Sequence, residues 1–336
     1  MTETKRVSGP GDSPGDAPEA AGAGAHGGVS IAVVTSNYNH ARYLPEAIES
    51  VLAQSEPPHE FVIVDDCSTD NSVEVIERYA RSHPVIRLIR RTRNQGGIRN
   101  INEALPTLRS SHFISLAADD RVLPGYFETV ARLLEKYPQA GMCLCDYECF
   151  WNDGRREARP QRLAREASYF PPAAVPRVLY NRWPHGQSVV QLAALRAAGG
   201  YPADLRWHCD WFVSWAICLR HGFCYAPIVS TALRVSDSSY SGQGRRGEQQ
   251  RPVLQNILQR LQSPEFNWLA QPLREANALS HFGPAILRGL LPSPEGRRFV
   301  TWRLLATLAW KSIYGPVARA VPRSMKRWLQ RHVFNR

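Results

Sequence analysis

The chain has 336 residues, 43% hydrophobic and 21% charged, which suits one large folded domain or two unequal ones. Its formal charge of +11 is unevenly spread: residues 281–336 hold 11 Lys/Arg against the single acid Glu295, a charge of +10, and everything before them carries +1. The main body is therefore not a basic nucleic-acid-binding surface, and no recognised nucleic-acid motif or interleaved aromatic platform accompanies the tail charge.

Residues 1–28 are rich in Gly, Pro, Ala and acids, lack the apolar core of a signal peptide, and are expected to form a disordered leader. Seven cysteines, an odd number without secreted-framework spacing, favour a reducing cytoplasm. Cys143, Cys145 and Cys149 fall on strand-like sequence with no neighbouring His, so buried thiols are expected rather than metal ligands.

From Ile31 the hydrophobic period alternates between strand and helix. Ile31–Val34 reads as a strand, and the next helix places Leu44, Ile48, Val51 and Leu52 on one face, with Pro45 near its first turn. The strand Phe61–Val64 leads to a helix capped by Asp70 or Asn71 with Glu74 in its first turn. Strand Val85–Ile89, helix Asn100–Leu108 and strand His112–Leu116 follow. The pattern predicts a mainly parallel sheet covered by helices on both faces.

Arg121–Pro124 reads as the entry to a helix carrying Phe127, Val130, Leu133, Leu134 and Tyr137, and a strand is expected near Gly141–Tyr147. Residues 151–172, charged and Pro-rich, read as a loop that closes over a ligand. Helix Gln191–Ala198 stops at Gly199-Gly200, helix Asp210–His221 stops at Gly222, and a strand follows near Phe223–Val229. These elements define a domain over 29–245, followed by a helical basic extension over 246–336.

Two acid pairs stand where buried strands stop, Asp65-Asp66 and Asp119-Asp120. Hard ions such as Mg²⁺ or Mn²⁺ are held by one or two carboxylates while a ligand's phosphates supply further oxygens. Open α/β sheets bind ligands at the carboxyl ends of their strands, so the two pairs point to one site for a phosphorylated ligand and a divalent cation.

Several segments occur in the order characteristic of the family 2 glycosyltransferases, and the region from about Ser30 to Ser241 resembles that family. Thr35-Ser36-Asn37-Tyr38-Asn39 is similar to a first-strand I-P-T-Y-N signature, and Tyr43–Gln54 continues it. Asp65–Asp70 resembles D-D-G-S-T-D with Cys67 in place of Gly; Asn94-Gln95-Gly96 with Arg99 resembles the next N-x-G segment. Ala118-Asp119-Asp120 lies where the family keeps D-x-D, and Gly199-Gly200-Tyr201 with Cys209-Asp210-Trp211 resembles G-G-F and E-D-W.

The resemblance implies a GT-A-type fold and an inverting transfer of sugar from a nucleotide-diphosphate donor to a saccharide or lipid-linked acceptor. It implies Asp210 as general base, Asp66 against the nucleobase, and one of Asp119 and Asp120 on the metal with its neighbour near the ribose. Thr35, Asn37, Tyr38, Asp65, Asn94, Gly96, Arg99 and Arg234 would complete the donor site, Arg234 at the diphosphate or else as a surface residue. Asp210 could instead cap its helix, and His185 could line the acceptor site. The chain departs from the pattern at Ala117, Cys209 and Ser236, where acids and a His are usual. Those departures keep open a non-catalytic nucleotide-sugar-binding or scaffolding protein. A nucleotidyltransferase would usually carry a Gly-rich phosphate loop after its first strand, and Ser36–His40 contains no Gly.

In the extension, Val300–Val321 is apolar but interrupted by Arg303, Lys311 and Arg319, too short of the ~20 residues a span needs. Met325, Trp328, Leu329 and Val333 share one helical face while Arg323, Lys326, Arg327 and Arg331 take the other. That pattern predicts an interfacial helix on an anionic membrane, on the cytoplasmic side, or a basic helix docked on its own domain.

Overall fold

The computed structural model describes residues 28–184, 187–236, 242, 244 and 249–317. The leader before Gly28, His185 and the tail helix around Met325–Val333 lie outside the described residues.

Among the described residues ten strands form one mixed sheet in the order β3-β2-β1-β4-β9-β6-β10-β5, with β7 paired to β6 and β8 to β10. β1 (Ile31–Asn37), β2 (Glu60–Asp65), β3 (Ile86–Arg90) and β4 (His112–Ser115) alternate with α1 (Leu44–Leu52), α2 (Ser72–Ser82) and α3 (Gly97–Ala104). β1 runs parallel to β2 and β4, and β2 to β3. Because helices cover both faces, β1 and β2 are apolar continuously rather than alternately. Ala32, Val34, Val62 and Val64 enter one core, and Ile31, Val33, Phe61 and Ile63 the other.

The second half is built by longer-range pairing. β5 (Arg121–Val122), α4 (Tyr126–Lys136), β6 (Met142–Phe150), β7 (Arg156–Arg159) and β8 (Ser168–Phe170) lead through α5 (Val175–Val178), β9 (Val189–Gln191) and α6 (Leu192–Ala197) to α7 (Cys209–His221) and β10 (Phe223–Arg234). β6 and β10 are parallel over a long register, whereas the antiparallel ladders use β5, β7, β8 and β9, which are two to four residues each.

Three local expectations differ from the structure. Arg121-Val122 is a strand, because its backbone pairs with Ala232 and Thr231 of β10, and the helix begins only after Gly125. Residues 151–172 hold β7 and β8, which extend the sheet where composition alone reads as loop. The helix read as Asn100–Leu108 ends its α-helical turns at Ala104 and tightens to a 3₁₀ turn at Leu105–Thr107, where Pro106 supplies no N–H.

α1, α2 and α4 pack into the core that holds Val33 and Ile63; α7 packs into the other, with Trp211 and Trp215 fully buried. Burying a large apolar side chain contributes roughly 1.5–3 kcal/mol. Helices from Gln250–Gln262 to Trp302–Val317 send Leu254, Ile257, Leu273, Leu304 and Leu308 into the same core as α7.

Candidate functional site

The parallel strands β2, β1 and β4 are neighbours, so their carboxyl ends open on one edge of the sheet. Asp65 and Asp66 stand at the end of β2, Asn37 at the end of β1, and Asp119 and Asp120 in the turn after β4.

Asp65 builds the edge itself. Its Oδ1 accepts from Asn37 Nδ2 at 2.9 Å and Ser68 Oγ at 2.6 Å, and its Oδ2 accepts from Ser68 N at 3.0 Å. The loop it stabilises turns through Cys67 at φ 66°, a left-handed conformation that costs a residue with a Cβ. Asp66 is also buried, and its carboxylate accepts Gln95 N at 2.9 Å and Gly96 N at 2.8 Å. Gly96 sits at φ 90°, so the loop before α3 presents two successive N–H groups to one carboxylate because Gly tolerates that backbone.

Around this cradle, Thr35 Oγ1, Asn37 Oδ1 and Asn100 Oδ1 are buried and find no partner among the described residues. Buried polar atoms are ordinarily satisfied, so orphans gathered at strand ends mark capacity for a ligand. Tyr38 is 45% exposed just beyond β1. Asn94 and Arg99 are exposed on the loop and first turn of α3, Arg99 lying 4.0 Å from Glu103.

The turn after β4 is fixed from outside. Glu46 and Ser50 of α1 and Gln54 just past its end, at four-residue spacing, hold it. Glu46 Oε1 accepts from Arg121 Nη1 at 2.6 Å, Ser50 Oγ from Val122 N at 3.2 Å, and Gln54 Oε1 from Tyr126 N at 3.2 Å. From the other side, a register shift in β10 between Ala226 and Thr231 brings Arg234 over the turn. Arg234 N donates to Asp120 Oδ1 at 2.7 Å, and its Nε to Asp119 O at 3.1 Å. Its guanidinium lies 4.4 Å from the ring centroids of both Tyr43 and Phe150 and donates to Glu46 Oε2 and Asn152 Oδ1. Arg234, with its side chain only 8% exposed, is thus a pillar of the turn as well as a cation beside it. Glu46, Arg121, Phe150, Asn152, Arg156 and Arg234 line an adjoining cleft of about 340 Å³.

Asp120 is buried, and Gln187 Nε2 donates to its Oδ2 at 2.5 Å. Burial first, and the Asp119 charge second, push its carboxyl well above the usual range, against the opposing pull of Arg234 and Gln187. A divalent cation would relieve both causes. No cluster of three or more His, Cys, Asp or Glu that could hold a metal occurs among the described residues. Two adjacent carboxylates with hard oxygen donors nonetheless fit an ion whose other ligands come from phosphates and water.

Asp210 lies in the first turn of α7 and is exposed; the N-cap position is His208, so Asp210 is not the cap. Its Oδ1 accepts from Trp211 N at 2.8 Å. The segment before it is tied to α3 by Asn102, whose Oδ1 accepts from Tyr201 N at 2.8 Å and whose Nδ2 donates to Tyr201 O at 2.7 Å. The start of α7 is therefore tethered to the helix whose N-terminal loop binds Asp66. Arg206, at φ 46°, shows strained backbone three residues before α7.

Glu46, Gln54, Asn100 and Gln187 are absent from the sequence-derived site. The four-residue spacing of Glu46, Ser50 and Gln54 beside the apolar face of α1 is the signal that could have found the first two. Gln187 arrives from 67 residues away, and only tertiary structure reveals it.

The fold, a parallel half-sheet joined to a mixed half and flanked by helices, is similar to that of GT-A glycosyltransferase structures. Staphylococcus aureus TarS in complex with UDP-GlcNAc superposes with a TM-score of 0.63 at 18% identity, over 87% of this chain and 88% of that one. The mannosyltransferase PcManGT from Pyrobaculum calidifontis, in complex with GDP-Man and Mn²⁺, gives 0.52 at 19% identity, over 89% and 82%. The profile of Glycosyl transferase family 2 matches residues 32–200, and the chain belongs to that family. An uncharacterized glycosyltransferase of Nostoc sp. is 37% identical over 116 residues, 34% of this chain and 35% of that one. The putative teichuronic acid biosynthesis glycosyltransferase TuaG of Bacillus subtilis is 33% identical over 91 residues, 27% and 36% of the two. The matched stretch thus spans about a third of each of these two relatives.

Proposed function

We propose that the protein is an inverting, divalent-metal-dependent glycosyltransferase of bacterial surface polysaccharide assembly, working at the cytoplasmic face of the membrane. Its donor is a nucleoside-diphosphate sugar and its acceptor a saccharide or lipid-linked saccharide. The observation that carries this reading is the Asp119–Asp120 turn with Asp120 buried, clamped by α1 and Arg234 at the same strand edge as the Asp66 cradle. Family membership, the UDP-GlcNAc and GDP-Man ligands of the structural neighbours and the teichuronic acid role in TuaG's name support it.

In this reading the orphaned Thr35, Asn37 and Asn100 atoms hydrogen-bond the nucleoside, Tyr38 and Asp66 border the base, and Asn94, Gly96 and Arg99 line the donor loop. Asp119 and Asp120 would hold Mg²⁺ or Mn²⁺, which when bound would offset the charge developing on the leaving diphosphate. Asp210 accepts the acceptor hydroxyl's proton; the freed oxygen bonds to the anomeric carbon while the bond to the β-phosphate oxygen breaks, its electron pair leaving with the diphosphate. Attack opposite the leaving group inverts the anomeric centre, and one base suffices.

Metal-dependent turnover across a panel of nucleotide sugars tests the reading. Asp210→Asn is expected to lower transfer by about 10²–10⁴-fold while thermal stabilisation by nucleoside diphosphate with Mn²⁺ persists. Wild-type protein that binds nucleotide and transfers no sugar would favour the non-catalytic alternative raised by Ala117, Cys209 and Ser236.

A further inference from the structure

The helix Trp302–Val317 is apolar on two sides. Leu304 and Leu308 are buried in the core shared with α7, Thr307 Oγ1 accepts from Asn277 Nδ2 at 3.0 Å, and Lys311 Nζ donates to Ser280 O at 2.8 Å. These positions, spaced i, i+3, i+4 and i+7, are the docked face. Trp302, Leu305, Ala306 and Ala309 repeat the same spacing two residues earlier and are all exposed, Trp302 by 74% and Leu305 by 45%. An outward stripe of Trp, Leu and Ala is not what solvent selects on a surface helix, and exposed apolar patches rimmed by polar residues mark interaction sites.

Charge identifies the occupant. Arg297, Arg298 and Arg303 are exposed just before or beside the stripe, and Arg303 lies 5.7 Å from the Trp302 ring. Residues 281–336 carry +10 with one acid, while the rest of the chain carries +1. No helix among the described residues is long and apolar enough to cross a membrane. A Trp-bearing apolar stripe beside cations, without a span, fits the headgroup boundary of an anionic bilayer.

We propose that the outer face of Trp302–Ala309 lies in an anionic membrane surface and is a primary contact of this chain with it. The inference rests on the membrane-peripheral placement proposed above and is independent of the transfer chemistry. Because the docked side of this helix shares its core with α7, membrane contact is on the side of the sheet that bears Asp210, where a lipid-linked acceptor would present its hydroxyl.

Sedimentation of the full chain with phosphatidylcholine vesicles, with and without phosphatidylglycerol, tests the proposal. Wild type is expected to bind the anionic vesicles, with affinity falling as salt rises. Trp302→Ser combined with Leu305→Ser is expected to weaken binding by at least about tenfold, with unchanged thermal stability and unchanged stabilisation by nucleoside diphosphate with Mn²⁺. Replacing Arg298 and Arg303 by Gln is expected to weaken binding to the anionic vesicles selectively. Wild-type affinity in the Trp302/Leu305 variant overturns the proposal, since residues 318–336 would then carry the contact alone. A wild-type dimer in sedimentation velocity that the same variant converts to monomer also overturns it, assigning the face to a second copy. Loss of vesicle binding with intact nucleotide binding separates this proposal from the catalytic one.

Discussion

The two acid pairs of the site sit on one sheet edge in opposite surroundings. Asp65 and Asp66 are buried among donors: Asn37, Ser68 and the amides of Gln95 and Gly96 point at them and tie the carboxylates into the strand edge. Asp120 is buried against a second carboxylate, and burial with that repulsion outweighs the two donors it does receive. The first pair is a scaffold whose contacts also stabilise the fold. The second is held in an unfavourable state by its surroundings, as groups at functional sites often are.

Asp120→Asn breaks that contrast with the largest expected effect. The amide keeps the bond from Arg234 N, and Gln187, whose Oε1 is buried without a partner among the described residues, can turn its own amide to accept from the new one. Folding stability should therefore stay the same or rise, while transfer falls by about 10²-fold as charge stabilisation at the leaving diphosphate is lost. The sign with pH follows. A carboxyl whose folded pKa is raised binds its proton more tightly when folded, so its contribution to stability declines as pH rises from the unfolded value through the folded one. Thermal melts against pH should show that decline in wild type and less of it in the variant. Apparent Mn²⁺ affinity should weaken as pH falls, starting above the ordinary carboxylate range. A variant that is both destabilised and fully active would sink the distinction.

Asp66→Ala should behave the other way. It strips an acceptor from the amides of Gln95 and Gly96, and losing two charge-assisted bonds costs about 3 kcal/mol. The Gly96 loop then loses its anchor, so denaturant midpoint and nucleotide affinity should fall together. Unchanged stability in urea titrations would show that the cradle does not support the fold.

The same division explains what was legible in the sequence. The first half could be read because its strands are continuous apolar runs joined by amphipathic helices, and β1, β2 and β3 pair in chain order, as Val33 with Phe61 does. The second half was partly missed because its short strands owe their existence to distant partners: Arg121 pairs with Ala232 and Val189 with Cys143. Composition around Arg156–Arg159 reads as loop, and the antiparallel ladder to residues 147–150 of β6 makes it strand. The acids were visible as pairs at strand ends. Of their supports, Glu46 showed only its four-residue spacing with Ser50 and Gln54, and Gln187, from beyond β8, carries no local signature of that task.

The smallest expected effect lies in the scaffold half, at Cys67. Its φ of 66° falls where the family signature keeps Gly, and the thiol replaces a residue that adopts this conformation without strain. Left-handed backbone costs a side-chain-bearing residue roughly 1–2 kcal/mol, and the greater unfolded-state freedom of Gly offsets part of that. Cys67→Gly should therefore stabilise the protein by up to about 1 kcal/mol, read as a small rise in denaturant midpoint with an unchanged slope. Because Asp65 fixes the same turn through Ser68 N and Oγ, the relaxed loop keeps its shape, and nucleotide affinity should hold. A loss of stability instead would mean that the half-buried Cys67 side chain contributes packing larger than the strain it imposes, and the first acid pair would then owe its geometry to that thiol as well as to its donors.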